Sequence, residues 1–327
     1  MKTAFITGAT GFLGTNIVRQ LIDAGVTIHA LKRSTSNTAA LDGLDVQWHN
    51  GDVTNKADLS DACPEGVDVF FHAAADTSMW KRKNTHQNQV NLVGTDNAIN
   101  VALEKGAKRF VHTSSIAAYG VHEDLITEET LQLGELSISN YYRTKHQSER
   151  KVKDAVIHKD LNAVILNPCH LVGAPDFHNW SQMMYMVKHN KLPGVPPGFG
   201  SFCDIKEVAR AHIVAAEKGR KGENYILSGH DLSFVDFIAE IGKVVGQHTA
   251  QKPMPEMLLK VVGQLSVLWA NVTGKEPSVT PEKALIVCDK LKVSSAKAQQ
   301  ELGYNNTIPV SEPLKSCYQW MMETKQF

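Results

Sequence analysis

The sequence predicts a doubly wound α/β protein, in which helices cover both faces of a parallel sheet, with a smaller, partly interleaved C-terminal lobe. Two observations support this prediction. Short β-branched runs alternate with longer stretches of helical spacing over the first 170 residues. The segment TGATGFLG (7–14) joins the first predicted strand to the first predicted helix. Because such alternation requires right-handed crossovers between parallel strands, we expect helices on both faces.

Six strands are predicted in order along this region. They are TAFITG (3–8), VTIHALKR (26–33), DVQWHNGD (45–52), VDVFFHAAA (67–75), KRFVHTSS (108–115) and LNAVILNP (161–168). Helical spacing is found at 12–25, 89–105, 208–219 and 233–246. The first of these helices ends in Gly25, which suits a C-cap. After residue 170 the pattern loosens, and 195–204 is rich in turn residues.

The composition favours a globular protein with a small-molecule partner. Lys plus Arg and Asp plus Glu both number 34, and no block of like charge suggests binding to nucleic acid or to an anionic membrane. Five cysteines without a Cys-x-x-Cys pair, and an N-terminus without an export signal, predict a cytoplasmic protein with reduced thiols. The 14 histidines show no metal-ligand spacing, so no metal is expected.

The most apolar later stretch, 257–270, is too short to cross a bilayer, so no membrane span is expected. We expect it to form a core or pocket-wall helix. A subunit contact and a shallow membrane association are the alternatives.

Gly8, Gly11 and Gly14 mark the turn from the first strand into the first helix. Glycine there allows a tight turn and close approach of the backbone to a pyrophosphate, while the helix N-terminus offers free N–H groups. Ordinary turn chemistry is the alternative. The position on the first βα turn favours a dinucleotide site, although the G-x-x-G-x-x-G spacing is one residue longer than in many dehydrogenases.

Two cations, Lys32 and Arg33, follow the second strand, where a site that prefers NAD would place an acidic residue. Arg33 can hold a 2′-phosphate through a bidentate charge-assisted pair, so NADP (NADPH) is favoured over NAD. The alternative is that both cations are solvated surface residues. After the third strand, Asp52 and Val53 suit an adenine lining, although Asp52 could equally be a helix N-cap.

Further motifs follow in a set order, and together they carry a resemblance. They are GDVTN (51–55), HAAA (72–75), NLVGT (91–95), TSSIAAYG (113–120), the pair Tyr141 and Lys145, LNPCHLVG (166–173) and DIKEVARAHI (204–213). With the glycine turn, they resemble the extended short-chain dehydrogenase/reductases, in particular the dihydroflavonol-reductase-like and 3β-hydroxysteroid-dehydrogenase-like members. The resemblance spans about two thirds of the chain.

The resemblance implies a Rossmann-type sheet and a division of the chain. Residues 1–170, with a return segment near 204–230, are expected to form the dinucleotide-binding domain. Residues 171–327 are expected to form mainly the substrate-binding lobe. Relatives often dimerise through paired helices, which makes a homodimer one option for the assembly.

The same resemblance implies a catalytic set. Ser115 matches the serine that hydrogen-bonds the substrate oxygen, Tyr141 the general acid/base, Lys145 the lysine beside it, and Asn91 the asparagine that supports a water-linked proton path. Taken singly, Ser115 could cap a strand end, Asn91 could be a polar helix residue and Tyr141 a half-buried aromatic. Further implied cofactor contacts are Thr10, Phe12, Leu13, Ala73, Ala74, Ala75, Thr113, Tyr141, Lys145, Asn167, Pro168 and His170.

The spacing of Tyr141 and Lys145 agrees with this assignment. Positions i and i+4 are neighbours on a helix face. Since a free tyrosine has a pKa of roughly 10, a lysine ammonium about 4 Å away is expected to lower the pKa of the phenol toward neutrality.

The second half of the chain supplies large apolar residues for a bulky, mostly apolar substrate. The predicted substrate-binding positions are Met79, Trp80, Ser115, His170, Trp180 and Met183. Packing in the core of a small lobe is the alternative for these side chains. The predicted function is NADP-dependent interconversion of a ketone or aldehyde and its alcohol. Epimerisation of a sugar or nucleotide sugar by the same residues, and cofactor sensing without catalysis, are the alternatives.

Overall fold

The computed structural model describes residues 1–177, 179–250, 252–273, 277 and 279–325. In the described residues the strands are β1 (Thr3–Thr7), β2 (Thr27–Lys32), β3 (Val46–Asn50), β4 (Val69–His72), β5 (Phe110–Thr113), β6 (Ala163–Pro168), β7 (His170–Val172), β8 (Phe199–Asp204), β9 (Asn224–Leu227) and β10 (His230–Ser233). The α-helices are α1 (Phe12–Asp23), α2 (Lys56–Ala62), α3 (Asn84–Asn88), α4 (Gly94–Glu104), α5 (Asn140–His158), α6 (Trp180–Lys188), α7 (Ile205–Lys218), α8 (Phe234–Val245), α9 (Glu256–Thr273), α10 (Pro281–Cys288), α11 (Ala296–Leu302) and α12 (Ser311–Glu323).

Seven strands form one parallel sheet in the order β3-β2-β1-β4-β5-β6-β9. The predicted doubly wound α/β class is confirmed. The six predicted strands correspond to β1–β6. β9 completes the sheet by pairing with β6, as in the register Leu166 to Tyr225.

Helices cover both faces of this sheet because its strands are apolar on both sides. One face carries α1 and α7, which pack on the strands through Ile17, Leu21 and Val208. The other face carries α2, α4 and α5. There Phe5 and Phe70 meet edge to face, with 4.8 Å between ring centroids. Each such fully buried ring stabilises the fold by about 1.5–3 kcal/mol.

A second sheet of three strands, ordered β10-β8-β7, forms the smaller lobe. β8 runs parallel to β7 and antiparallel to β10, and α6, α8 and α12 pack around it. None of β7–β10 is predicted from the sequence, and the turn-rich segment 195–204 contains β8. β7 has only three residues, and a glycine within β8 weakens its strand signal.

The helix α9 packs against α10 and has an apolar face that is open to solvent. Leu259 is buried, but Met257 is 75% exposed and Leu265 is 60% exposed. The expected burial in a core or pocket wall is therefore met on one side of the helix only. None of the helices that the described residues form is long and apolar enough to span a membrane.

Candidate active site

The predicted site residues gather at the carboxyl ends of the central strands. Gly8 follows β1, Ala73 follows β4 and Ser115 lies two residues beyond β5, while Asn167 and Pro168 end β6. Ligands of open parallel sheets bind at this edge, where the strand order changes direction. In this sheet the change lies next to β1, since β2 and β3 extend to one side and β4, β5, β6 and β9 to the other.

The glycine turn has no room for side chains. Gly8 has φ +77°, and a Cβ there would lie 2.6 Å from the Ala74 backbone nitrogen. A Cβ on Gly14 would lie 2.1 Å from the Gly8 carbonyl oxygen. The N-cap of α1 is Gly11, which offers no side-chain cap, and the first turn of α1 holds no acidic residue. The uncapped N–H groups and the bare backbone fit a pyrophosphate.

The end of β2 presents cations. Lys32 is partly exposed and Arg33 is exposed, and neither side chain is paired with any other residue that the structure describes. The Arg33 backbone is held in a turn, since its N–H donates to Ser36 Oγ at 3.1 Å. This arrangement leaves the guanidinium available for an anion.

Asp52 forms a turn of its own. Its Oδ1 accepts from Thr54 N at 2.9 Å and from Thr54 Oγ1 at 2.8 Å. The N-cap of α2 is Asn55, whose side chain accepts from Ala57 N. The alternative prediction that Asp52 caps this helix is therefore wrong, because Asn55 lies closer to the first turn. Val53 is buried against the helix that begins at Gly94.

The helix α5 brings Tyr141 and Lys145 to the edge of the sheet. The Lys145 side chain is buried, and its Nζ donates to the Thr113 carbonyl at the end of β5 at 2.9 Å. Tyr141 is partly buried one turn earlier. The start of this helix is fixed by Asn140, whose Nδ2 donates to Gln87 Oε1 at 2.8 Å.

The pKa of Tyr141 differs from expectation. Burial raises the pKa of the phenol above its usual value, and a hydrogen bond with the Ser115 side chain opposes this rise. Lys145, whose ammonium donates to the Thr113 carbonyl, is not among the groups that shift the pKa of Tyr141. Burial lowers the pKa of Lys145 to about 8, against a smaller raising effect of Glu149. At neutral pH, Tyr141 is a neutral proton donor beside a largely protonated lysine.

Ser115 is buried and starts a short 3₁₀ turn, Ile116–Tyr119. Its Oγ accepts from Ala117 N at 3.2 Å, so Ser115 caps the 3₁₀ turn that follows β5 instead of the strand end. The cap uses an oxygen lone pair, so the hydroxyl proton is left for the phenol oxygen of Tyr141 or for a substrate oxygen. Capping and substrate binding are therefore compatible.

Asn91 lies in a π-helical turn, Gln89–Val93, that joins α3 to α4. Its Oδ1 accepts from Asp76 N at 2.7 Å, and its Nδ2 donates to Thr144 Oγ1 and to the Asp76 carbonyl, both at 3.0 Å. Asn91 thus ties the loop after β4 to the helix that carries Tyr141. Such π turns are frequent at functional sites.

The predicted substrate residues of the smaller lobe pack against each other. His170 stacks on Phe202 with 5.3 Å between ring centroids, and Trp180 meets Phe237 edge to face at 4.8 Å. Gly200 allows this stacking, because a Cβ there would lie 2.7 Å from the His170 ring. Met183 packs on the same cluster. These are the contacts of core residues, which was the alternative interpretation.

Met79 and Trp80 lie apart from that cluster, in the loop after β4. Trp80 is buried at 7% exposure, with the Arg82 guanidinium 5.6 Å from its ring centroid. Met79 is partly exposed. The loop that carries both residues is bonded to Asn91 through Asp76.

Asn167 connects the site to a residue that was not predicted. Its Nδ2 donates to the Ser115 carbonyl at 3.1 Å and to Glu149 Oε2 at 2.8 Å. Glu149 follows Lys145 by four residues, so it lies on the same face of α5. That spacing is the sequence signal that could have indicated it.

Buried histidines near the site predict loss of stability in mild acid. Burial lowers the pKa of His72 to about 3 and of His212 to about 4, and holds the pKa of His112 well below its usual value. Unfolded histidine has a pKa of about 6.5. The unfolded chain therefore binds more protons below that pH, and the free energy of unfolding should fall by about 1.4 kcal/mol per pH unit for each such histidine.

Urea unfolding at several pH values between about 7 and 5 measures this slope. His112→Phe is the matched variant, because neither ring nitrogen of His112 has a partner among the described residues. We expect a shallower slope for His112→Phe by about one proton, or about 1.4 kcal/mol per pH unit. An unchanged slope would contradict the assignment of His112 as neutral.

One surface cavity does not belong to the site. A surface cavity of about 540 Å³ lies at the amino ends of the strands, lined by Lys2, Asp68, Lys108, Arg109 and Asn162 among others. It contains none of the predicted residues, and open parallel sheets bind ligands at the other edge.

Within the described part of the chain, no three His, Cys, Asp or Glu side chains are grouped as metal ligands.

The fold and the site together define a dinucleotide-binding enzyme of the oxidoreductase type. The model of the NAD dependent epimerase/dehydratase family matches residues 4–228. The chain belongs to this family, the extended short-chain dehydrogenase/reductases, and it is an NAD(P)-dependent enzyme. The resemblance drawn from the motifs is confirmed.

Relatives and solved structures cover nearly the whole chain. It is 28% identical to a putative dihydroflavonol 4-reductase from Synechocystis sp., over 97% of this chain and 93% of the relative. It is 30% identical to sterol demethylase protein B from Methylococcus capsulatus, over 80% of each protein. The crystal structure of gox2253 covers 100% of both chains with a TM-score of 0.86 and 28% identity.

Proposed function

We propose that the protein is an NADP-dependent oxidoreductase that interconverts a ketone or aldehyde and its alcohol on a bulky, mostly apolar substrate. The observation that carries this proposal is the meeting of Ser115, Tyr141 and Lys145 at the strand edge that holds the glycine turn. Residues 171–327 supply the substrate lobe in this proposal, and Asn91 supports the proton path.

Ser115, Tyr141 and Lys145 have separate roles in the proposed reaction. Ser115 donates a hydrogen bond to the carbonyl oxygen and so stabilises the negative charge that develops there. Tyr141, neutral at physiological pH, gives its phenolic proton to the same oxygen. Lys145 favours the resulting phenolate in this proposal once its ammonium turns from the Thr113 carbonyl toward Tyr141, one helical turn away. The bound nicotinamide supplies or accepts the hydride.

The glycine turn and α1 are the residues that would hold the cofactor, as their geometry fits a pyrophosphate. Preference for NADP over NAD is supported by the exposed Arg33 and the partly exposed Lys32, which can bind a 2′-phosphate.

Replacing Arg33 with aspartate should reverse the cofactor preference. The carboxylate would repel the 2′-phosphate of NADPH and could accept from the ribose hydroxyls of NADH. We expect the ratio of kcat/KM for NADPH over NADH to fall by about 100-fold, a loss of roughly 2.7 kcal/mol. Arg19→Asp is the control, because Arg19 is an exposed cation on α1. Equal selectivity in Arg33→Asp and wild type would show that Arg33 does not read the phosphate.

An apolar substrate is supported by side chains around the catalytic helix. The loop leading into α5 exposes Leu136 at 79% and Ile138 at 59%, within five residues of Tyr141. Trp80 and Met79 supply the facing wall. The names of the relatives, a dihydroflavonol reductase and a sterol demethylase protein, point to multi-ring substrates of the same character.

A single assay separates this proposal from its alternatives. Net consumption of NADPH with a panel of aldehydes, ketones and keto-steroids supports the reductase. Appearance of an epimer without net consumption supports epimerisation, which the family description also covers. Tight NADPH binding without turnover of any substrate would support a sensor.

A further inference from the structure

Glu149 is a fully buried carboxylate on the catalytic helix. Its Oε2 accepts from Ser114 Oγ at 2.7 Å and from Asn167 Nδ2 at 2.8 Å. Its Oε1 accepts from Gln132 Nε2 at 2.5 Å, from Asn224 Nδ2 at 2.7 Å and, as an ion pair, from Lys153 Nζ at 3.1 Å. A buried carboxylate without partners would cost several kcal/mol. Five donors to one carboxylate show that the surrounding side chains are arranged to hold its negative charge.

These donors keep the carboxylate ionised. Burial alone would raise the pKa of Glu149, but the Lys153 charge and the hydrogen bonds from Gln132, Asn167 and Ser114 hold the pKa below its usual value. Lys153 is partly exposed at 38%, so it contributes from the rim of the cluster. The remaining donors are neutral and leave a net negative charge inside the protein.

Three of the five donors lie on or next to strands of the larger sheet, and two of these lie at the carboxyl ends that form the site. Ser114 directly precedes Ser115, and Asn167 ends β6 while it also donates to the Ser115 carbonyl. Asn224 begins β9 and donates to Asn167 Oδ1 at 2.8 Å. Glu149 therefore joins α5 to the ends of three neighbouring strands, and the Ser115 backbone is held through one shared amide.

Glu149 also faces the catalytic lysine. Lys145 lies one helical turn before it, and the negative charge opposes the effect of burial on the pKa of Lys145. Tyr141 on the same helix, His72 on β4 and His112 on β5 also lie near Lys145, and burial keeps the phenol and both imidazoles neutral. Tyr119, in the 3₁₀ turn packed on α5, faces Glu149 and stays neutral because burial raises its pKa. Glu149 is thus the acidic group that favours the ammonium.

We propose that Glu149 is a positioning residue for the reaction: it fixes Ser115 relative to Tyr141 through Asn167, and it places a permanent negative charge one helical turn from Lys145. The inference rests on the proposed function for the reaction itself. Its effect on Lys145 is independent of substrate.

Glu149→Gln tests both parts, because glutamine keeps the size and removes the charge. NMR of protein labelled at the lysine Cε, with the Lys145 signal assigned from Lys145→Arg, gives the titration of Lys145 without any turnover. We expect a midpoint near pH 8 in the wild type and a lower midpoint in Glu149→Gln. The alkaline limb of the kcat/KM profile for reduction should move to lower pH in the same direction.

The kinetic readout reports on position. We expect kcat to fall by roughly 10- to 100-fold in Glu149→Gln, since small displacements of reacting groups cost about that much, while the Kd for NADPH stays near the wild-type value. Glu149→Asp keeps the charge but shortens the side chain. It should restore the Lys145 midpoint and leave kcat reduced, a pattern that general loss of stability would not produce. Arg150→Gln, on the exposed side of the same helix, is the control for a charge change.

The outcomes are distinguishable. An unchanged Lys145 midpoint in Glu149→Gln, or kinetics equal to those of Arg150→Gln, overturns the inference. Should Glu149→Gln fail to fold, wild-type kcat in Glu149→Asp overturns the positioning role, and reduced kcat with the wild-type Lys145 midpoint supports it. If the wild type turns over no carbonyl substrate, the proposed function fails, while the NMR titration still decides whether Glu149 controls Lys145.

Discussion

Tyr141→Phe should abolish turnover. The substitution removes one hydroxyl, and with it the proton that the substrate oxygen requires. General acid catalysis contributes about 10²–10⁴-fold, so kcat should fall by at least that factor. The phenyl ring keeps the packing against Tyr142, whose ring centroid lies 6.3 Å away. The Kd for NADPH, measured by fluorescence titration, should therefore stay within a few-fold of the wild-type value.

The neighbouring tyrosine supplies a matched control for this result. Tyr142 is buried at 8% exposure on the adjacent face of α5, and the residue four positions on is His146 instead of a lysine. Tyr142→Phe should keep most of the turnover. Wild-type rates in Tyr141→Phe, or equal losses in both variants, would remove Tyr141 as the acid.

Gly14→Ala should lose both stability and cofactor binding. The added methyl would lie 2.1 Å from the Gly8 carbonyl oxygen and 2.9 Å from Ala9 Cα, and both neighbours are backbone atoms that cannot rotate away. We expect the free energy of unfolding, measured in urea without cofactor, to fall by about 1–3 kcal/mol, as overpacking does elsewhere. The displaced turn should weaken NADPH binding by at least about tenfold, or roughly 1.4 kcal/mol.

Gly11→Ala, in the same turn, should lose less stability than Gly14→Ala. Its Cβ would lie 3.2 Å from the Gly8 carbonyl oxygen, which a shift of a few tenths of an ångström relieves. The stability of Gly11→Ala should therefore stay closer to wild type. If the two variants unfold at the same urea concentration, close packing of the turn is not what requires glycine at position 14.

The larger sheet was predictable because its strands and helices follow strong periodic patterns. β1–β6 all lie within the predicted segments, and the glycine turn sits where the strand-to-helix transition requires it. The smaller lobe was less predictable because its strands pair only through the tertiary fold. In the strand register, Phe202 of β8 pairs with His230 of β10 and with His170 of β7, and no local sequence pattern indicates either partner.

For the site, residue types and spacing indicated Ser115, Tyr141 and Lys145, but not their electrostatics. The pKa of a phenol depends on burial and on where each donor points, and the Lys145 ammonium points to Thr113. Glu149 was missed for a related reason. A glutamate on a long charged helix resembles a solvated residue until the fold brings Ser114, Asn167 and Asn224, on or next to β5, β6 and β9, to its carboxylate.

The larger sheet is completed by a late segment of the chain, which matters for any attempt to express a part of the protein. After β6 the polypeptide leaves to build β7 and β8, then comes back as α7 and β9 at the end of the seven-stranded sheet. A fragment ending near residue 170 would leave the whole flank of β6 with open amide and carbonyl groups, the kind of edge that recruits other chains into aggregates. A single cut near residue 170 therefore does not release the seven-stranded sheet as a complete unit.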